Sequence, residues 1–247
     1  FPGPLLSLVY VACGFLGVGC DALILGGRRV QNHSRPYMAI LESDYKEILC
    51  DGFLIQPEWV MTAAHCRSSR WVNMRVLIVL GVELLSKRSN HIWDIAKFYQ
   101  HPDYDSTTLE NDIMLVQVST SFQFSPNSRK PRVIIIVKHK AACSTAGWGR
   151  TRNSNKGASG RHSQVLQEVN VTLVPRKSGF HGSCAINMRP GSHVSCLQGD
   201  SGGPLVCNGV AEGVVSFGSK ECGKTPTVYT QISRYLPWIN KVIKSAS

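Results

Sequence analysis

A serine, a histidine and an aspartate stand in three separate short motifs of this sequence. Ser201 lies in the segment GDSGGP, whose glycines permit a tight turn that exposes the hydroxyl and frees neighbouring amides. His65 ends the segment TAAH, and Asp112 directly precedes an apolar run. Hydroxyl attack on a carbonyl needs a base to take the proton, and that base needs a carboxylate to fix its tautomer. Each residue alone is typical of a loop, a structural histidine or a turn, but together they predict nucleophilic acyl transfer.

The elements that must position these residues are short and apolar. Eight such runs are separated by Gly, Pro, Asn and Ser, which is the pattern of an all-β sandwich or barrel. The runs are Met38–Leu41, Leu49–Ile55, Trp59–Ala63, Val76–Leu80, Ile113–Val118, Val133–Val137, Val169–Val174 and Ala211–Phe217. A helix is predicted over 233–244 from the spacing of its apolar residues, with Ser233 as its cap and Pro237 in its first turn.

Length and composition narrow the class of protein. The chain has 247 residues, of which 43% are hydrophobic and 9 are cysteines. This length suits one large all-β domain or two small ones, and the composition excludes a disordered chain, a coiled coil and a collagen-like repeat. A polar stretch at 119–132 is predicted to link two halves at about 24–125 and 126–230.

The N-terminal segment is interpreted as a targeting sequence. The apolar stretch Leu5–Leu16 is too short to span a bilayer, and small residues follow it. Residues 1–23 are therefore predicted to be a signal peptide and short propeptide without its starting Met, and a buried strand is the alternative. Secretion, with storage in secretory granules as a further option, agrees with the cysteine usage.

The positive charge predicts acidic partners. The chain has 27 basic and 16 acidic residues, a formal net charge of +11, and losing residues 1–23 removes only Asp21 among the charged residues. Small basic clusters are each typical of a solvated surface, but their sum favours adhesion to an acidic proteoglycan. Nucleic acid is not indicated, because neither an aromatic-interleaved motif nor zinc spacing accompanies the charge. The sequence suggests no nucleotide, metal or redox cofactor.

Several motifs in the same order resemble the trypsin/chymotrypsin family of serine proteases. The matching segments are ILGG (24–27), the His65 and Asp112 segments, GWG (147–149), GDSGGP (199–204), VSFG (215–218) and PWI (237–239). The resemblance covers residues 24–247. It implies two six-stranded antiparallel β-barrels with the active site between them and a C-terminal α-helix. It also implies an endopeptidase that acts on proteins or peptides and is inhibited by serpins.

The resemblance assigns a role to each motif residue. His65 corresponds to the general base, Asp112 to its orienting carboxylate and Ser201 to the nucleophile. The backbone N–H groups of Gly199 and Ser201 correspond to the oxyanion hole. Asp200 corresponds to the partner of the α-amino group that forms when the chain is cut before Ile24.

The same resemblance implies three disulfides. They are Cys50–Cys66, Cys143–Cys207 and Cys196–Cys222. Cys184 matches half of a fourth bridge whose partner is missing, so it is predicted to be unpaired. A monomer is expected, with Cys184 available for a linked dimer.

The predicted specificity pocket departs from that of trypsins. Trypsins have Asp where this sequence has Val194, so cleavage after Lys or Arg is not expected. Thr227 should narrow the pocket, which favours small or medium apolar side chains. The substrate-binding residues are predicted to be Val194, Ser195, Gln198, Ser216, Phe217, Gly218 and Thr227.

Two further departures bear on activity and subgroup. Leu197 is one residue more than expected between Cys196 and Ser201, and it could displace the Gly199 amide. A catalytically impaired pseudoprotease that acts as a basic binding module is therefore the alternative. Leu23, rather than Arg or Lys, precedes Ile24, and in this the sequence resembles granzymes and mast-cell proteases, which have very short propeptides. Complement factor D resembles part of the segment that follows Asn32. Asn32 itself is a candidate glycosylation site.

Overall fold

Six strands near the N-terminus close on themselves as a barrel. In the computed structural model, the described residues are 27–67, 74–119, 142–149, 162–174, 183–187, 200–218 and 227–246. The strands of this first barrel are β2 Met38–Ser43, β3 Ile48–Gln56, β4 Trp59–Thr62, β5 Val76–Leu80, β6 Ile92–Gln100 and β7 Met114–Val118. They pair antiparallel in the order β2-β3-β4-β7-β6-β5.

The second sheet contains the remaining strands. These are β1 Arg28–Arg29, β8 Ala142–Gly147, β9 Gln167–Val174, β10 Ser183–Asn187, β11 Pro204–Cys207, β12 Val210–Phe217 and β13 Thr227–Gln231. Their order is β1-β9-β10-β13-β12-β11-β8, and an additional pairing joins β8 to β9. Six strands, β8 to β13, therefore form a closed ring, and β1 is added at its β9 strand.

One continuous hydrophobic core joins residues of the first barrel to residues of the second sheet. Met38, Phe53 and Leu115 in the first barrel and Trp148 after β8 are fully buried. The antiparallel two-barrel prediction is confirmed by this arrangement. The run predicted at 133–137 lies outside the described residues.

The C-terminal helix differs in its start from the predicted one. A short 3-10 helix occupies Ile232–Tyr235, and α1 follows at Leu236–Ser245. The residue that precedes α1 is Tyr235, and no side chain caps the helix, so the predicted Ser233 cap is wrong. Pro237 does lie in the first turn of α1, where an N–H has no partner within the helix.

Two of the three predicted disulfides are confirmed. Cys50 is bonded to Cys66 and Cys143 to Cys207. Cys196, Cys222 and the side chain of Cys184 lie outside the described part of the chain. In that described part, no helix combines the length and apolar character needed to cross a membrane.

Candidate active site

His65 and Asp112 form a two-point contact at the edge of the first barrel. The backbone N–H of His65 donates to Asp112 Oδ1 at 2.9 Å, and the ring Nδ1 lies 2.8 Å from Asp112 Oδ2. The Asp112 side chain is fully buried, whereas that of His65 is 26% exposed. The contact places the proton of a neutral ring on Nδ1, so that Nε2 is left as a base.

The Asp112 carboxylate has a further donor from the second barrel. The Ser216 hydroxyl donates a short hydrogen bond to Asp112 Oδ2, and the Thr230 hydroxyl donates to the Asp112 carbonyl at 2.9 Å. The buried hydroxyl of Ser216, a residue predicted to bind substrate, is directed at this carboxylate. Donors from both barrels thus hold Asp112 in place.

Local backbone geometry fixes both members of the pair. His65 lies in a single 3-10 turn, Ala64–Cys66, that is tied to β3 by the Cys50–Cys66 disulfide. On the other side, Asn111 has a positive φ of 55°, and its side-chain carbonyl accepts a hydrogen bond from the Tyr235 hydroxyl at 3.1 Å. Asparagine tolerates this left-handed conformation better than most residues. The turn therefore delivers Asp112 into the buried space beside His65.

Ser201 stands at the start of a tight turn before β11. The N–H of Gly203 donates to the Asp200 carbonyl at 2.9 Å, and Gly202 has a φ of +84°. A Cβ on Gly202 would overlap the Thr62 hydroxyl and the Asp51 carbonyl. Both the backbone conformation and the close approach therefore require glycine at this position.

The turn brings Ser201 beside the His65 segment. The Ser201 carbonyl accepts the N–H of Asp51 at 2.9 Å, and the sulfur of Cys66 lies 3.9 Å from the same oxygen. Cys66 is the residue after His65 in the sequence. Among the described residues, the Ser201 hydroxyl makes no hydrogen bond to the His65 ring; such bonds in enzymes often tighten only when substrate binds.

A second carboxylate lies beside Asp200. Both Asp51 and Asp200 are buried, and burial raises the pKa of Asp200 to about 7, although the N–H of Gly149 and a hydrogen bond with Asp51 lower it. Burial, followed by the charge of Asp200, raises the pKa of Asp51 well above its ordinary value. Asp51 was not among the site residues predicted from the sequence. The only sign of such a role in the sequence is that an acidic residue interrupts the apolar run Leu49–Ile55.

On the described side of the predicted pocket, Thr227 lies next to Gly218. Thr227 is buried, and its hydroxyl would lie 3.5 Å from a Cβ placed on Gly218. Phe217 is half-buried at the end of β12. The other predicted pocket and activation residues lie outside the described part of the chain: Ile24, Val194, Ser195, Leu197, Gln198 and Gly199.

Among the described residues, one group of side chains has the types and spacing of metal ligands: Cys50, His65 and Cys66. The two sulfurs are bonded to each other in a disulfide and do not offer thiolate ligands.

Comparisons with known proteins agree with this geometry. The family described as Trypsin matches residues 24–239. Duodenase-1 of Bos taurus is 36% identical, with 90% of this chain and 89% of that protein covered. Granzyme B(G,H) of Mus musculus is 36% identical at 90% and 92% coverage, and the chymase of Papio hamadryas is 36% identical at 90% and 91%.

Solved structures show the same fold. The structure of neuropsin, a serine protease expressed in mouse brain, superposes with a TM-score of 0.77 at 30% identity and covers 89% of this chain and 100% of its own. Human heparin binding protein also gives a TM-score of 0.77, at 28% identity, with 90% and 97% covered. With its two barrels, its His65–Asp112 pair and its Ser201 turn, the chain belongs to the trypsin family of serine proteases.

Proposed function

We propose that the protein is a secreted serine endopeptidase that hydrolyses peptide bonds through an acyl-enzyme. His65 is the general base, Asp112 its orienting carboxylate and Ser201 the nucleophile. The observation that carries this proposal is the His65–Asp112 contact of 2.8 Å, with the Ser201 carbonyl 3.9 Å from the sulfur of the next residue, Cys66. The proposal is supported because the His65 ring has an orienting carboxylate and the backbone of Ser201 lies against the residue that follows His65.

The chemistry follows from these three side chains. Ser201 Oγ attacks the substrate carbonyl while its proton passes to His65 Nε2, and Asp112 stabilises the resulting imidazolium. The backbone N–H groups of Gly199 and Ser201 stabilise the oxyanion. His65 then gives its proton to the leaving amine, and a water molecule repeats the sequence to release the acid. Ser216 supports the cycle because its hydroxyl remains on Asp112.

The protease cleaves after substrate residues with small or medium apolar side chains. Thr227 supports this because its buried side chain lies next to Gly218 and takes up space on that side of the predicted pocket. Val194 supplies no carboxylate for a substrate Lys or Arg. The remaining pocket residues of this proposal are Ser195, Gln198 and Phe217.

Processing before Ile24 produces the active form. The mature protease domain is residues 24–247, and the new α-amino group pairs with Asp200. The buried position of the Asp200 carboxyl supports this, because such a group gains much from a cationic partner. The mature protein is a monomer open to serpin-type inhibitors.

A second function, adhesion to acidic polysaccharide, can coexist with catalysis. It is favoured by the net charge of +11 and by the likeness to a heparin binding protein. We expect retention on a heparin column at low salt and release as salt rises, because mobile ions screen exposed charges. Retention that does not respond to salt would contradict this second function.

A peptide-library cleavage profile tests the proposed specificity. The protein that begins at Ile24 is expected to cut after Val, Ala, Leu or Met, and Ser201→Ala should abolish cutting while it leaves the fold intact. A profile dominated by Arg would overturn the pocket assignment. No cleavage by a folded protein with a free Ile24 amino group would favour the binding module instead.

A further inference from the structure

Asp51 is a buried acid that the proposed reaction does not use. It lies in β3, between Cys50 and Gly52, and is fully buried. An ionised carboxylate in such a place costs much free energy unless donors or a cation compensate for it. The position therefore calls for a stated partner.

The carboxyl of Asp200 lies beside that of Asp51. Asp51 Oδ2 accepts the N–H of Trp148 at 3.2 Å, and Asp200 Oδ1 accepts the N–H of the next residue, Gly149, at 2.6 Å. Two adjacent amides thus hold one oxygen of each acid. A Cβ on Gly147 would overlap oxygens of both carboxyls, so the two groups converge on the space that this glycine leaves open.

Within the part of the chain that the structure describes, the other oxygen of each acid lacks a donor. Asp51 Oδ1 and Asp200 Oδ2 are buried and accept no hydrogen bond from any described amide, hydroxyl or cation. Two ionised carboxylates in contact would repel each other without compensation, whereas one proton between them converts the contact into a hydrogen bond.

We propose that Asp51 and Asp200 share a single proton and that Asp51 is thereby a positioning residue for the Ser201 turn. This inference rests on the proposed function only for its effect on catalysis. Asp51 also donates its backbone N–H to the Ser201 carbonyl at 2.9 Å, so both its backbone and its side chain fix the residues 200–201.

Burial is the largest influence on both acids. It raises the pKa of Asp51 and that of Asp200, and the charge of Asp200 raises the pKa of Asp51 further. From β8 and the residues after it, Trp148 and Gly149 present amides only. In β13, Tyr229 is a titratable group close enough to interact with the charge of Asp200. Burial and the charge of Asp200 both raise the pKa of Tyr229.

The charge of the pair suits the proposed processing step. No described Lys, Arg or His acts on either carboxyl, so a pair with one proton carries one negative charge. The Ile24 α-amino group of the processed chain would bring one positive charge. The pair can therefore receive this group without losing the proton that keeps Asp51 and Asp200 together.

Infrared spectroscopy of the full chain tests the shared proton directly. At neutral pH we expect the carbonyl stretch of a protonated carboxyl that disappears in Asp51→Asn. The control Glu212→Gln removes a buried acid that has no second carboxyl beside it, and it should leave that band in place. Absence of the band from the unmodified chain would overturn the proposal.

Labelling of Ser201 by a fluorophosphonate measures the positioning role. In the processed protein, Asp51→Asn keeps a donor for Asp200 and should label within about threefold of the unmodified rate, whereas Asp51→Ala should label about tenfold more slowly or worse. Equal rates for the two variants would contradict the role. A band without labelling of the unmodified protein would count against the proposed function alone, and labelling without the band against the shared proton alone.

Discussion

At the residue scale, the candidate site depends on how one buried carboxylate is satisfied. The carboxylate oxygens of Asp112 are met by the His65 N–H, the His65 ring and the Ser216 hydroxyl. Hydrogen bonds to a charged group are about twice as strong as neutral ones. Loss of one donor should therefore be measurable in catalysis.

Ser216→Ala should lower kcat/KM about 10- to 100-fold, because a hydrogen bond to a charged group contributes roughly 1.5–3 kcal/mol. Thr230→Val is the matched control, since its hydroxyl meets the Asp112 carbonyl rather than the carboxylate. It should have the smaller effect on hydrolysis of a peptide ester or amide. Unchanged kinetics for Ser216→Ala would show that the carboxylate does not need this donor.

Thr227→Ala should widen the pocket beside Gly218. We expect the ratio of kcat/KM for a Phe substrate to that for a Val substrate to rise about tenfold, the scale of small changes in apolar pockets. Thr107→Ala, at an exposed turn, is the control and should leave the ratio as it is. A ratio that stays constant in Thr227→Ala would place the specificity determinant elsewhere.

At the element scale, most strands with long apolar runs could be predicted, whereas β11, Pro204–Cys207, is short and was not predicted although it is fully buried. Met38–Leu41 and Val76–Leu80 lie within or match strands β2 and β5. β6, Ile92–Gln100, was missed because it is partly exposed and mixes charged with apolar residues. β1 has two residues, and pairing with β9 rather than its own pattern makes it a strand.

Some residues of the candidate site could also be predicted from the sequence, and others could not. His65, Asp112 and Ser201 could be found from residue type, order and motif, because the chemistry demands those groups. Asp51 and the Ser216 contact could not, since they arise from strands that meet only after folding. The Ser233 cap failed for a related reason: a 3-10 turn stabilised by burial of Ile232 and Tyr235 precedes the helix.

Helix α1 should be anchored by its buried face. Ile239 and Val242 are buried against the core, and His101 from the first barrel lies 4.9 Å from the Trp238 ring centroid. Ile239→Ala should lower the free energy of unfolding by about 2–5 kcal/mol. Lys241→Ala, on the exposed face, should change it by less than about 0.5 kcal/mol in the same urea titration. Equal losses would contradict the packing described here.

At the scale of the whole molecule, the basic surface is only partly neutralised by ion pairs. Arg28 and Arg35 both contact the buried Glu168, and Arg88 contacts the buried Glu42. The acids in these contacts are buried, so the pairs organise the fold as well as the surface. The remaining excess of positive charge is the physical basis of the proposed adhesion to polyanions.

The buried acids should make stability depend on pH. Raised pKa values mean that the folded protein holds more protons than the unfolded chain between about pH 4 and about pH 7. Stability should therefore fall as pH rises through this window, by up to about 1.4 kcal/mol per pH unit for each such proton. Asp51→Asn should flatten the slope, and Glu47→Gln at the exposed surface should not. A steeper or unchanged slope in Asp51→Asn would be the contrary result.

The central claim is that Ser201 is a nucleophile activated by His65. Fluorophosphonate treatment of the protein that begins at Ile24, followed by mass spectrometry of its peptides, measures this most directly. The expected result is one adduct, on Ser201, whose formation is lost in His65→Ala and falls steeply in Asp112→Asn. A folded, processed protein that carries no adduct on Ser201, or carries it equally without His65, would contradict the claim.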